Sequence, residues 1–566
     1  MTTEANSGAD AKASGARWFD LLLVLGIGLF VNCIYLGSGP LAGTEGHRAL
    51  VGHQMAIGGS WLLPKLYDQV YLAKPPLDYW ILAGLEKLTG QANELIWRLP
   101  SAIAGSVRAV FVCWIGGRWF GRLGGFAAGI GCSGMVTLWG QNHTAEIDAL
   151  NCLACVVTSC LLIDLGFMAQ KRHAAIASAA GLAFGAAMLL KGPVGLTGIG
   201  AALIGPAIFN RTTRALKQPW PWIALAIGGF MFAIYAALAL REFRVQGLSL
   251  ETSGVNEIWI NLWNQDRITY LIPTLLLPVI LLVYAMPVSF FFPMAFYGPL
   301  WKSGTISVEI FPERQRRLLR AVVGTLAIAC AITILCGFSF PRYSYTWLPL
   351  ICLAAGAVVE AWRRGIYPRN ITDWLHVALA ATGITFAVGT VVLVVLCLIA
   401  RAGNPIVLFG SAALGVVLSV LIIRWILQNH QPRAVGGVIA MILLAGPLYG
   451  LREAADRQHR SAAKFAAILR TRVPPGETVT TGHLVLDQPE IFYYARINVE
   501  SHPFTMFIPR EYPTSRWMLL EPAEFDVWQQ KMSGRLTDIQ SMQNQGVSAI
   551  LAWYEAKGQS VSSRGQ

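Results

Sequence analysis

Residues 43–90 read GTEGHRALVGHQMAIGGSWLLPKLYDQVYLAKPPLDYWILAGLEKLTG. This polar, aromatic and proline-bearing stretch follows the first strongly apolar run of a chain of 566 residues, 55% of them hydrophobic and 13% charged, with a mean hydropathy of +0.51. Such a composition lies far from that of an average soluble domain and fits a chain that crosses a bilayer many times. The stretch is then a large loop between spans, and the rest of the chain has to be read around it.

Apolar runs of roughly 20 residues, enough to cross about 30 Å of hydrocarbon, begin near Trp18, Leu99, Leu123, Asp148, Ala174, Pro193, Trp222, Tyr270, Leu319, Tyr345, Leu375, Ile406 and Val435. The expected architecture is a polytopic α-helical membrane protein with about thirteen spans. The runs on either side of Lys191 read either as two spans meeting at a tight turn or as one long broken helix. Short loops on one side of the bundle hold Arg118, Arg122, Lys171, Arg172, Arg211, Arg214, Lys217, Arg314, Arg316, Arg317, Arg320, Arg363, Arg364, Arg369, Arg424 and Arg433. By the positive-inside rule that side is the cytoplasm. The loop 39–97 and the tail from Leu451 are then exoplasmic, and residues 1–17 read as a disordered cytoplasmic leader with no apolar core of its own. The domain layout is thus 1–17, a transmembrane module over 18–450, and a tail domain over 451–566.

The net charge of +13 is accounted for by these loops and by attraction to anionic headgroups, so no nucleic-acid partner is expected. All ten cysteines, from Cys33 to Cys397, fall within or at the ends of apolar runs, which supports neither a disulfide framework nor a zinc spacing. Cys152 and Cys155 read as small packing residues. The tail loses the long apolar runs. Its segments ETVTTGHLVL, EIFYYARINVE and SRWMLLE read as strands, and RSAAKFAAILRTR and EFDVWQQKM as helices, giving a small α/β domain without a phosphate loop, a triad or a metal cluster.

Chemistry is expected where polar residues crowd the loop 39–97. The segment TEGHRALVGHQMAIGGSW sets Leu50, Gln54 and Ile57 on one helical face and Glu45, Arg48 and Gly52 on another, the pattern of a helix lying along a membrane surface or capping the bundle. In LAKPPLDYW the prolines fix φ and remove donors, so Lys74 sits on a rigid turn with Tyr71, Tyr79 and Trp80 nearby. The aromatics read as an interfacial belt. Two readings stand for Lys74: a headgroup anchor, or a point charge for the phosphate of a lipid-linked substrate.

The order of these pieces resembles the first exoplasmic loop of bacterial 4-amino-4-deoxy-L-arabinose transferases and their relatives in the protein mannosyltransferase superfamily. The matching elements are Thr44-Glu45, Met55, Gly59-Ser60-Trp61, Pro64, Lys74-Pro75-Pro76, Tyr79-Trp80 and Gly90. Further along, HTAEIDALN resembles the family's second acidic site, at Asp148; LLKGPVGL its Lys-Gly-Pro turn, at Lys191; and FPRYSYTWLPL its Arg-Tyr element, at Arg342 and Tyr343. The resemblance implies a GT-C fold with an outer α/β domain in a bacterial inner membrane. It also implies transfer of a sugar from a polyprenyl-phosphate donor to a lipid (lipid A-like) or protein acceptor, with inversion. The chain departs from the family where the leading aspartate, usually taken as the base, is Thr44; the following Arg-Tyr is His47-Arg48, and the Glu-Lys pair of some members is Ala73-Lys74. Either Glu45 takes over as base, or Asp148 does, or activity is lost or altered.

Transfer from a polyprenyl phosphate needs a carboxylate to deprotonate or orient the acceptor hydroxyl and cations to stabilise the departing phosphate. Glu45 and Asp148 are the candidate carboxylates. Lys74, Lys191 and Arg342 are the candidate cations, with Tyr343 and Tyr71 as phosphate or donor contacts. Lys191 is costly between two apolar runs unless it faces a polar cavity or snorkels at a turn, and Asp148 also reads as a plain helix N-terminal charge. His53 and His143 could join a divalent-metal site, though a lone loop histidine is more often solvated, and no cofactor is otherwise expected. The loop Arg241 to Thr269 reads as a mobile lid. A non-catalytic binder of lipid-linked sugars and a lipid-sugar transporter stand as the alternatives.

Overall fold

In hydrocarbon every backbone donor and acceptor must be satisfied within the chain, so apolar runs of this length become helices. The structure, a computed structural model, describes residues 17–556 apart from 68, 168–171, 193–195, 249–274, 303–309, 336–340, 475, 483, 485–487, 502–508, 510, 533–534 and 545–546. The described chain runs α1 (Trp18–Cys33), α2 (Glu45–Ala56), β1 (Lys65–Leu66), β2 (Gln69–Val70), α3 (Leu77–Thr89), α4 (Glu94–Phe120), α5 (Arg122–Ser133), α6 (Val136–Asn142), α7 (Ile147–Phe167), α8 (His173–Lys191), α9 (Leu196–Phe209) and α10 (Pro219–Val245). It continues with α11 (Leu277–Tyr284), α12 (Glu313–Leu335), α13 (Leu350–Arg363), α14 (Arg369–Ile399), α15 (Pro405–Leu427), α16 (Gln431–Arg460) and α17 (Ala463–Arg472). The tail adds β3 (Thr478–Thr481), α18 (Glu490–Ala495), β4 (Asn498–Ser501), β5 (Arg516–Leu520), α19 (Pro522–Lys531), β6 (Leu536–Asn544) and β7 (Val547–Tyr554).

Among the described residues, each of the thirteen apolar runs holds a helix. Eight helices are long and apolar enough to cross a membrane. Two bent pairs, broken by 63° after Gly134 and by 115° after Tyr284, raise this to ten, and α1 and α9 are shorter apolar helices. The break at Lys191 separates two helices: Gly192 takes φ +65°, α8 packs on α7, and α9 packs on α12. Much of the loop Arg241 to Thr269 lies outside the described residues.

Two compact units are present, one of residues 1–36, 98–234 and 265–453, the other of residues 37–97, 235–264 and 454–566. Small residues set the helix spacing in the first. A Cβ built on Gly205 of α9 would lie 2.4 Å from the carbonyl carbon of Gly324 of α12, so the two backbones touch, as small-residue contacts allow in bilayers. Four of the loop arginines of this unit are held by buried carboxylates. Arg122 binds Asp20 at 2.7 Å, Arg118 and the Trp119 indole bind Asp164 at 3.3 and 3.0 Å, and Glu360 takes Arg363, Arg364 (2.9 Å) and the Gly124 amide (3.2 Å).

The second unit joins the first loop to the tail domain. The tail forms a five-stranded sheet of order β4-β3-β5-β7-β6, in which β3 pairs parallel to β4 and β5, and β7 antiparallel to β5 and β6. The segment EIFYYARINVE was expected to be a strand. Only its last part is one, because EIFYYA forms α18 behind Pro489, with Ile491, Phe492 and Ala495 buried at helical spacing. Proline just before a helix presets φ and gives up no needed donor, and this outweighs the β-favouring aromatics. Helix α2 was expected either to lie along the membrane surface or to cap the bundle, with one apolar and one polar face. It is buried from Glu45 through Gly52, charged residues included, and a Cβ on Gly52 would sit 2.7 Å from the Leu82 side chain of α3.

Because α9 and α12 meet backbone to backbone, Gly205→Leu is expected to destabilise the bundle by about 1–3 kcal/mol or more, read as a lower unfolding midpoint in detergent. An unchanged midpoint would show that the contact is not a packing constraint.

Candidate active site

In the second unit the first loop builds a buried polar cluster around the start of α2. Glu45 is the first residue of that helix, 2% exposed, and its Oε2 accepts the Ala42 amide at 3.1 Å. The helix N-terminus adds its own preference for negative charge there. Thr44, one residue earlier, does not cap the helix with its side chain. One turn along α2, the Arg48 guanidinium donates to the Tyr79 hydroxyl at 2.9 Å, and His47 stacks on Tyr71 at 5.8 Å.

Tyr71 and Tyr79 were expected at a membrane interface. Both are buried, Tyr79 completely, and burial pushes its phenol well above the ordinary range. They serve Arg48 and His47 because β2 and the Pro75-Pro76 turn bring them under α2. Lys74 lies half-buried in that turn. Trp80 keeps a partly exposed position, its indole donating to the Trp61 carbonyl at 2.6 Å and its ring set edge-on to Tyr235.

A second cluster lies in the first unit. Asp148, in the first turn of α7, is ion-paired with Lys191, the last residue of α8; the side chains are 14% and 9% exposed. The Lys191 ammonium also stands 5.5 Å from the centre of the Tyr343 ring, on the 3₁₀ turn Pro341–Thr346. Cys152, one turn after Asp148, donates to the Tyr345 carbonyl at 2.8 Å and so ties α7 to the same turn. That thiol was expected only to pack. The backbone of Arg342 neighbours Tyr343, while its side chain lies outside what the structure describes.

Lys191, Asp148 and Tyr343 thus converge in one unit, and Glu45 and Tyr71 share the polar loop with Lys74 in the other. The histidines considered for a metal are otherwise engaged. His53 pairs with Glu86 at 2.7 Å, and His143 Nδ1 donates to the Trp139 carbonyl at 2.9 Å. Among the described residues no three His, Cys, Asp or Glu side chains converge as a metal site.

Among the buried acids that the sequence reading did not single out, Glu490 lies beside the start of α2. Glu490, at the start of α18, is fully buried, and a Cβ on Gly46 would fall 2.5 Å from its Oε2. The signal was available: a lone acid following a proline at the head of an apolar segment marks a helix start, not a strand.

These features can be set beside known proteins. Residues 73–236, under a third of the chain, match the family model described as dolichyl-phosphate-mannose-protein mannosyltransferase. No curated protein matches the chain. The crystal structure of ArnT from Cupriavidus metallidurans bound to undecaprenyl phosphate superposes with a TM-score of 0.64 at 17% identity, covering 94% of this chain and 97% of that one. The chain has the GT-C fold. The apo ArnT structure from the same organism agrees, with a TM-score of 0.62, 17% identity and the same coverage. The GT-C likeness extends over nearly the full length, tail domain included.

Removing either partner of the Lys191–Asp148 pair leaves a largely buried charge, which costs about 3–5 kcal/mol. Lys191→Met and Asp148→Asn are each expected to lower the unfolding midpoint strongly, while the double variant loses less than the sum. Strict additivity would show that the two side chains act independently.

Proposed function

We propose that this chain is an integral membrane glycosyltransferase that moves a sugar from a polyprenyl-phosphate donor to a lipid or protein acceptor by a single inverting displacement. The observation that carries this reading is Glu45, a buried carboxylate held by the Ala42 amide at a helix N-terminus, in a chain with the fold of a transferase seen holding undecaprenyl phosphate. In the proposed step Glu45 takes the proton of the acceptor nucleophile as it attacks the anomeric carbon. The bond from that carbon to the phosphate oxygen breaks, and the electron pair leaves with the polyprenyl phosphate.

Cations then have to meet the developing phosphate charge. Lys74 and Arg342 are assigned this work, with Tyr343 and Tyr71 as hydrogen-bond donors. Lys191 is engaged by Asp148, so a phosphate reaching it joins or displaces an existing pair. Asp148 is therefore assigned to holding that ammonium, and Glu45 to the proton. The basic loops support a cytoplasmic N-terminus and an outer tail domain, and the protein is assigned to a bacterial plasma membrane.

One observation favours a second reading. Position 44 carries threonine where the resembling family has its aspartate, which fits a chain that binds lipid-linked sugars without transferring them. Release of free polyprenyl phosphate from a panel of polyprenyl-phosphate sugars by the purified protein in lipid separates the two. The transferase reading expects one sugar to be consumed, a loss of about 10²-fold or more in Glu45→Gln, and a loss of about 10²-fold or more in Lys74→Ala. Binding of the lipid with no consumption of any sugar establishes the binder.

A further inference from the structure

Glu490 lies outside the machinery assigned above. Its side chain is 0% exposed, and beyond its own backbone neither carboxyl oxygen has a hydrogen-bond partner among the described residues. Its Oε2 rests against Gly46, where any Cβ would collide with it. Gly46 directly follows Glu45, so Glu490 bears on the turn that carries the proposed base.

The helix that presents Glu490 is fastened to the first loop along its length. The Tyr67 hydroxyl donates to the Pro489 carbonyl at 2.8 Å, and the Tyr67 ring meets Phe492 edge-on. Tyr493 donates to the Ala92 carbonyl at 3.2 Å and sits edge-on to His53 and Trp97. The Tyr494 hydroxyl accepts the Leu41 amide and donates to Glu94, both at 2.7 Å. Glu490 is thus held in place by its neighbours rather than by its own polar atoms.

We propose that Glu490 is a positioning residue for Glu45: a carboxyl kept neutral by burial, which packs the first turn of α2 and leaves the single negative charge of the pair on Glu45. This rests on the assignment of Glu45 as the base. A charged carboxylate buried without a partner is strongly disfavoured, and an ionised Glu45 close by disfavours it further. Glu45, in contrast, has an amide donor and a helix N-terminus to favour its charge. Two neighbouring acids whose surroundings push them apart divide the proton and the charge between them.

The pH sign follows. Burial first, and then the Glu45 charge, push Glu490 up to about 8 from an ordinary 4.5. The groups facing it are Glu45 from α2 and the Tyr67 phenol from the β1–β2 hairpin, which burial pushes up well out of range. The folded state therefore holds a proton that the unfolded chain gives up. The resulting stability is complete below about 4.5 and is lost as pH rises through about 8.

The test compares the full-length wild type with Glu490→Gln, which keeps the shape and the neutral state. The infrared difference between the two at pH 6 is expected to show the C=O stretch of a protonated carboxylic acid, vanishing as pH passes about 8. Polyprenyl phosphate release by the wild type should fall above that pH, while Glu490→Gln keeps its rate at pH 7 within about threefold and loses the alkaline fall. Glu490→Ala, which leaves a hole, should lose activity at every pH. A missing carboxylic acid band, or superimposable pH profiles, overturns the proposal. An active Glu45→Gln overturns the base assignment instead, and the infrared band then still reports the state of Glu490.

Discussion

The docking of α18 against the first loop is the contact on which the polar cluster around Glu45 depends. The helix has six residues, too few to persist alone, yet four of its side chains engage the loop. The Tyr494 hydroxyl is the most constrained of these contacts, joining the Leu41 amide ahead of α2 to Glu94 at the start of α4. The loop 39–97 would otherwise hold a buried carboxylate, arginine and histidine with, among its described residues, two short strands and two helices of its own. The tail domain thus contributes a frame, which explains why it can lack catalytic motifs.

A shared rule governs the polar groups of the membrane module. An ionisable side chain in an apolar bundle persists when it is paired or hydrogen-bonded. Asp20, Asp164, Glu360 and Asp148 each hold a cation. The first three fasten arginines near the ends of helices. The Lys191 ammonium of the Asp148 pair faces the Tyr343 ring on a 3₁₀ turn, as the Arg364 guanidinium held by Glu360 faces the Phe311 ring.

Most of the fold was legible because the dominant signal, a run of about 20 apolar residues, is tied directly to bilayer thickness. The break at Lys191 was legible for the same reason, since a lysine and a glycine interrupt the run. What was not legible were contacts made across long sequence distance. The burial of Tyr79 depends on Arg48, thirty-one residues earlier, and α18 reads as a strand until Pro489 and its partners in the first loop are considered. Nothing local in the sequence of α2 reveals that α3 and the tail cover it. Of the candidate site residues, Asp148, Lys191 and Tyr343 were found from motif resemblance, and their convergence required the fold.

The most direct measurement of the central assignment, that Glu45 and not position 44 supplies the proton acceptor, is polyprenyl phosphate release by Thr44→Asp in wild-type and Glu45→Gln backgrounds. The account predicts that Thr44→Asp changes the rate by no more than a few-fold, and that activity stays lost whenever Glu45 is glutamine. A large gain from Thr44→Asp that survives the loss of Glu45 would contradict it, and would make this chain a transferase frame whose base is missing.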